Sequence, residues 1–114
     1  EHNGGNFPLW LTPNQLIILP ISKKHNDYCK KLLKSVKKYD IRGHIDDRNE
    51  TTGRKVRDAE KNKIPLIIIV GDDEIENNLL SVRKHGGDNL GKMNLEQLVQ
   101  LIQANIEKEL NGNN

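Results

Sequence analysis

"KIPLIIIVGDD", residues 63–73, holds the most hydrophobic run of the chain. Pro65 opens it, and Gly71 with two aspartates closes it. Leu66 to Val70 show no alternation of apolar and polar residues, so both sides of the segment are read as buried. That is the pattern of a central strand in a sheet covered on both faces. A proline at the start of such a strand is tolerated, whereas one in the middle would break the ladder.

Upstream, Leu16 to Leu19 in "QLIILPIS" form a second nearly continuous apolar run, ended by Pro20, and predict a buried strand. From Lys24 to Tyr39 the spacing changes. Cys29, Leu32, Leu33 and Val36 fall at i, i+3, i+4 and i+7, one stripe of an amphipathic helix with lysines on the other side. "IRGHID" alternates, with Ile41, Gly43 and Ile45 against Arg42, His44 and Asp46, as a half-buried strand does. Thr51 or Thr52 is the expected N-cap of a helix from Gly53 to Asn62, in which only Val56 and Ala59 are apolar.

Downstream of the central strand, "GDDEIENN" reads as a polar turn holding at most one helical turn. "LLSVRKH" alternates, placing Leu80 and Val82 on one face and Ser81 and Arg83 on the other. "GGDNLGKMN" reads as a tight turn and a short strand. Leu95, Leu98, Val99, Ile102 and Ile106 form a helical stripe, and Asn94 with Gln97 supplies a capping box. The order β-α-β-α-β-turn-β-β-α defines an α/β domain. Its first three strands are parallel because helices link them, and its last two pair as a hairpin, so the sheet is mixed.

At 114 residues the chain is one domain. Its net charge of +2 creates no overall field that demands a nucleic-acid partner, so any such claim rests on where the charges sit. The single cysteine excludes an internal disulfide. No apolar run is long enough to span a membrane, and a soluble domain with no membrane partner is expected. The four histidines have no metal-ligand spacing, no metal or catalytic residue is assigned, and Cys29 reads as a small buried hydrophobe. No glycine-rich phosphate motif occurs, and the carboxylates of "GDDEIENN" would repel a phosphate.

The densest charge lies in "DDRNETTGRKVRD", residues 46–58. Arg54, Arg57 and Lys61 recur at i, i+3 and i+7 and project from one side of a helix. Pairs such as Arg54–Asp58 and Arg57–Glu60 would make this a solvated, ion-paired helix. A surface that reads nucleic acid is the competing reading, and pattern alone leaves both open. Asn49 follows the second strand, Glu74 follows the central strand at what is read as a neighbouring strand end, and Arg83 points away from the core. Arg, Glu and Asn together offer the donors and acceptors that read base edges, most readily on unpaired RNA bases.

"FPLWLTPNQLIILPI" and "IRGHIDDRNETTGRKVRDAEKNKIPLIIIVGDDEIENNLLSVRKHGGDNLGKMNLEQLVQLI" closely resemble the C-terminal anticodon-binding domain of class II aminoacyl-tRNA synthetases, the threonyl branch in particular. The resemblance runs from Phe7 to Glu109. It implies a single α/β domain with a five-stranded mixed sheet flanked by three main helices. It further implies residues 1–6 as a linker from an upstream catalytic domain, 7–110 as the domain and 111–114 as a disordered tail. Base contacts are implied for Asn49, Glu74, Arg83 and Arg57, and contacts to the tRNA backbone for Lys55 and Arg54. The implied partners are the anticodon loop of tRNA-Thr and the catalytic domain of the same chain, in a cytoplasmic, homodimeric parent ligase. ATP, magnesium and zinc are implied for that parent, and no cofactor for this domain. Thr51 stands where the family commonly has lysine, and Arg54 where an aromatic is common, so Arg54 is expected to restore charge lost at Thr51. Two alternatives from other classes are a free-standing accessory or dimerisation module and a small nucleotide-binding α/β protein.

Overall fold

The computed structural model describes residues 14–110, with side chains as far as residue 104. In chain order the elements are β1 (Leu16–Pro20), α1 (Asn26–Lys37), β2 (Gly43–Ile45), α2 (Thr52–Lys61), β3 (Leu66–Val70), α3 (Asp72–Asn77), β4 (Leu80–Lys84), β5 (Asn89–Met93) and α4 (Leu95–Leu110). The strands form one sheet in the order β2-β1-β3-β4-β5. β1 runs parallel to β2 and β3, whereas β4 is antiparallel to both β3 and β5. The expected α/β domain with a five-stranded mixed sheet and three main helices is therefore present, with α3 as a short fourth helix. The expected linker at 1–6, the first residues of the expected domain at 7–13, and the tail at 111–114 lie outside the described residues.

β3 sits in the middle of the sheet, which explains its unbroken apolar sequence. Its even residues, Leu66, Ile68 and Val70, face one core with Leu16, Ile18, Leu80 and Val82. Cys29, Leu32 and Val36 of α1 and Leu98, Val99 and Ile102 of α4 cover that side. Ile67 faces the other side with Ile17 and Leu19, beneath Ala59 and Val56 of α2. A strand in that position has no wet side on which a polar residue would be favoured.

Local signals explain most element ends. Thr51 Oγ1 accepts the Arg54 N–H at 3.1 Å and caps α2, which begins at Thr52. Asn94 and Gln97 exchange side-chain acceptors at 2.8 and 2.9 Å, the reciprocal box that starts α4. α1 is preceded by a 3-10 turn at Lys23–His25 and does not begin in regular form at Lys24. "DDEIEN" forms six residues of helix, longer than the one helical turn expected within this polar turn, and is stopped by Asn78 in the left-handed conformation at φ 57°. β2 is shorter than the alternating pattern 41–46. Ile41 is buried ahead of the strand, and the Arg42 N–H donates to Gln15 Oε1 at 2.8 Å.

One expectation about topology is corrected. β2 and β3 are not neighbours, because β1 lies between them and pairs with both. Asn49 and Glu74 follow strands that end on the same edge of the sheet, two strand spacings apart, which is about 10 Å. Two parallel crossovers can place the third strand on either side of the first pair, and the periodicity of the sequence carries no information on that choice.

Candidate nucleic-acid interface

β3 pairs Ile67 with Arg83 and Ile69 with Ser81. Arg83 and Ser81 therefore share the face on which α2 packs. β5 continues that face with Lys92 opposite Ser81, and with Asn89 opposite Arg83 beside a bulge at Val82/Arg83. α2 packs on Ile17, Leu19 and Ile67, toward the β1 side. Arg83 and Lys92 remain exposed. The result is a polar strip of sheet beside the exposed cations of α2.

Glu74 borders this strip and is only 7% exposed. It occupies the first turn of α3 and reaches back so that Oε1 accepts the Gly71 N–H at 2.7 Å. Ser81 Oγ donates to Oε2 at 2.9 Å, and Lys92 Nζ lies 3.6 Å from the same oxygen. Burial alone would raise its carboxyl pKa. The hydrogen bonds from Ser81 and Gly71, with the charge of Lys92, outweigh burial and hold it below the usual range. Glu74 is thus an ionised carboxylate in a fixed orientation, with acceptor capacity left on two oxygens. Gly71 keeps this corner tight, since a Cβ there would sit 2.5 Å from Ile21 Cδ1 and 3.2 Å from Glu74 Oε1.

Arg83 stands two residues along β4 from Ser81, about 7 Å away on the same face. Among the described residues it has no hydrogen bond or ion pair to its side chain. The same holds for Arg57 of α2. The anticipated Arg57–Glu60 pair does not form, because Glu60 turns to the β4–β5 connection. There its Oε1 accepts the Gly86 N–H at 3.1 Å and lies 3.5 Å from His85 Nε2. Arg54 is exposed and only loosely paired, 4.0 Å from Asp58. Arg57 and Arg54 therefore present available cations, and the ion-paired reading of α2 holds only at its Asp58 side.

Lys55 differs from what its place in the run implied. It is 3% exposed, and its Nζ donates to the Pro20 carbonyl at 3.3 Å. Its position in the first turn of α2 turns it inward with Ala59, so its ammonium tethers the helix to the end of β1. A contact to the tRNA backbone from this side chain is at odds with that burial.

Asn49 lies exposed in the loop after β2, with no side-chain hydrogen bond among the described residues. Its neighbour Arg48 shapes that loop. Arg48 Nε donates to Asp46 Oδ1 at 2.8 Å, and Nη2 donates to Asp46 Oδ2 at 2.9 Å and Asp58 Oδ2 at 2.7 Å. Hydrogen bonds from Arg48 hold both carboxyls below the ordinary range. Arg48, Ser81 and Lys92 escaped the sequence reading. For Arg48 the usable signal was its position two residues from Asp46. For Ser81 the alternation gave its face but not its bond to Glu74, and for Lys92 no signal existed before the β4–β5 register was known.

His25 holds the start of α3 at the same sheet edge. It is 3% exposed, and its Nδ1 accepts the Ser22 N–H at 3.1 Å. That leaves Nε2–H to donate to Asp72 Oδ1 at 2.9 Å. Among the described residues no group of three or more His, Cys, Asp or Glu side chains is placed to hold a metal ion. No helix among them is long and apolar enough to cross a membrane.

Exposed Arg83 and Lys92 with half-buried Ser81, bordered by the buried carboxylate of Glu74 and beside a basic helix, suit hydrogen bonding to nucleotide bases and phosphates. Comparison with known proteins identifies the family. The sequence model described as "Anticodon binding domain" matches residues 15–105. The threonine–tRNA ligase of Cytophaga hutchinsonii is 46% identical over 110 residues, covering 96% of this chain and 17% of that protein. The threonine–tRNA ligase of Flavobacterium johnsoniae is 46% identical over 112 residues, with the same coverage. The chain thus spans about a sixth of the length of these relatives. The crystal structure of the RNA binding domain of threonyl-tRNA synthetase from Cryptosporidium parvum Iowa II superposes with a TM-score of 0.81. It covers 90% of this chain and 26% of its own at 24% identity, a likeness of fold. Because the anticodon-binding match runs over residues 15–105, and so over the whole sheet and all helices but the end of α4, the chain belongs to the anticodon-binding domain family.

Proposed function

We propose that this chain is the anticodon-binding domain of a threonine–tRNA ligase. It recognises the anticodon loop of tRNA-Thr so that the parent enzyme charges the right tRNA. The observation that carries this reading is Arg83, exposed on the α2 face of the sheet with no side-chain partner among the described residues, near the buried and fixed carboxylate of Glu74. Two of the threonine anticodon bases are G and U. A guanidinium fork suits the two acceptors on a guanine edge, and a carboxylate suits ring and exocyclic N–H groups. Asn49 adds a group that both donates and accepts, and Arg57 and Arg54 supply charge for the neighbouring phosphates. Activation of threonine with ATP, and the magnesium and zinc that serve it, we assign to the catalytic domain of the parent, which we take to be a cytoplasmic homodimer.

Titration with an anticodon stem-loop tests the proposal. Arg83→Ala is expected to weaken the cognate loop by about 1–3 kcal/mol and to leave an anticodon-swapped loop nearly unchanged. Equal losses on both loops would demote Arg83 to a phosphate contact. Failure of the unmodified chain to prefer the cognate loop at all would overturn the reading.

A further inference from the structure

The lysines of α1 take no part in the surface described above. Residues 23–38 carry seven lysines and one aspartate, a net +6, in a chain whose total is +2, so the remainder is net −4. Folding gathers these charges. Cys29, Leu32 and Val36 are buried against the sheet, and Lys30, Lys34 and Lys37, at i, i+4 and i+7, stay exposed with Lys31 and Lys38 beside them. Of the seven, Lys24 pairs with Asp72 at 3.1 Å. The other six have no ion-pair partner among the described residues. Like charges at i,i+4 spacing destabilise a helix, and an anionic partner relieves that repulsion.

We infer that this face is a second RNA contact, binding phosphates of the same tRNA that the anticodon surface holds. Two features of the fold select that occupant. The lysine row begins at the sheet edge that carries the anticodon surface, because Lys24 touches Asp72, two residues from Glu74. From there it runs along the sheet face opposite α2 for about 22 Å, at 1.5 Å per residue. The apolar side of α1 lies inside the core, so the helix has nothing to insert into a lipid layer. The contact is to phosphates and carries no sequence information. The inference rests on the RNA-binding reading above, and its test separates the two.

The chain and its Lys30→Gln/Lys34→Gln/Lys37→Gln variant are titrated with full-length tRNA bearing either the threonine anticodon or a swapped one, over a range of salt. The triple variant is expected to bind both tRNAs roughly tenfold or more weakly. The slope of log affinity against log salt should fall by about 2–3, at 0.7–0.9 per phosphate. A triple Lys→Arg variant keeps charge and helix propensity and retains both quantities. Unchanged affinity and slope in the glutamine variant overturn the inference. If the unmodified chain shows no anticodon preference while the lysine dependence persists, the anticodon reading fails and this one stands. Loss of binding to phosphatidylserine vesicles with tRNA binding intact would assign the face to a membrane and overturn it.

Discussion

Replacing Lys55 by methionine separates a tether inside the fold from a contact with RNA. The ammonium donates to the Pro20 carbonyl at 3.3 Å and is almost wholly buried. Methionine keeps most of the volume of the stem and removes the donor. A hydrogen bond from a charged group contributes about 1.5–3 kcal/mol, and relief from desolvating the ammonium offsets part of its loss. The expected net cost is about 1–2 kcal/mol. For a domain near this size each kcal/mol moves Tm by about 4–8 °C, so a fall of roughly 5–15 °C is expected. Thermal and urea unfolding measure it, alongside a salt-dependent titration with the anticodon stem-loop whose slope should not change. An unchanged Tm with a slope reduced by about 1 would show that Lys55 neutralises a phosphate, and would refute the reasoning from its burial.

Two further outcomes are expected. The folded-state pKa of Glu74 is depressed, so its ionised form adds stability above its unfolded value near 4.3 and loses that contribution as pH falls through the folded value. Glu74→Gln should therefore be less stable than the unmodified chain at pH 7, by about 1 kcal/mol, and the gap in urea midpoints should close in acid; a gap that widens there contradicts the sign. Burial pushes the Cys29 thiol up to about 12, against a smaller opposing pull from Lys55. A chromogenic disulfide reagent at pH 8 should react slowly with the native chain and fast in denaturant, and rapid native reaction would mean that the α1 stripe is not packed as described.

The parts of the fold that were legible in the sequence are those set by neighbours along the chain. The run Leu66 to Val70 announced a strand buried on both sides, Thr51 announced a helix start, and Asn94 with Gln97 announced another. The alternation of Leu80, Ser81, Val82 and Arg83 assigned each residue to its correct face. What stayed illegible depends on which segments meet in space. Nothing in the spacing places β1 between β2 and β3, because either order buries the same residues. Lys55 could not be told from Arg54 or Arg57 by type, since lysines are seldom fully buried and this exception is made by a carbonyl 35 positions earlier. Glu74 belonged visibly to an acidic turn, but its hold on Ser81 required the β3–β4 register.

The fork of Arg48 between Asp46 and Asp58 has a consequence for how tightly a partner can be held. A free loop must surrender its backbone freedom when it docks, at a cost of about 1–2 kcal/mol for each residue fixed. Here one guanidinium braces the segment that carries Asn49 before any ligand arrives, with two hydrogen bonds to Asp46 at the end of the strand and one to Asp58 of α2. Much of the ordering is completed during folding, and association gains affinity without a single added contact. On the RNA-binding reading proposed above, Arg48 thus favours association although its side chain bonds only to Asp46 and Asp58.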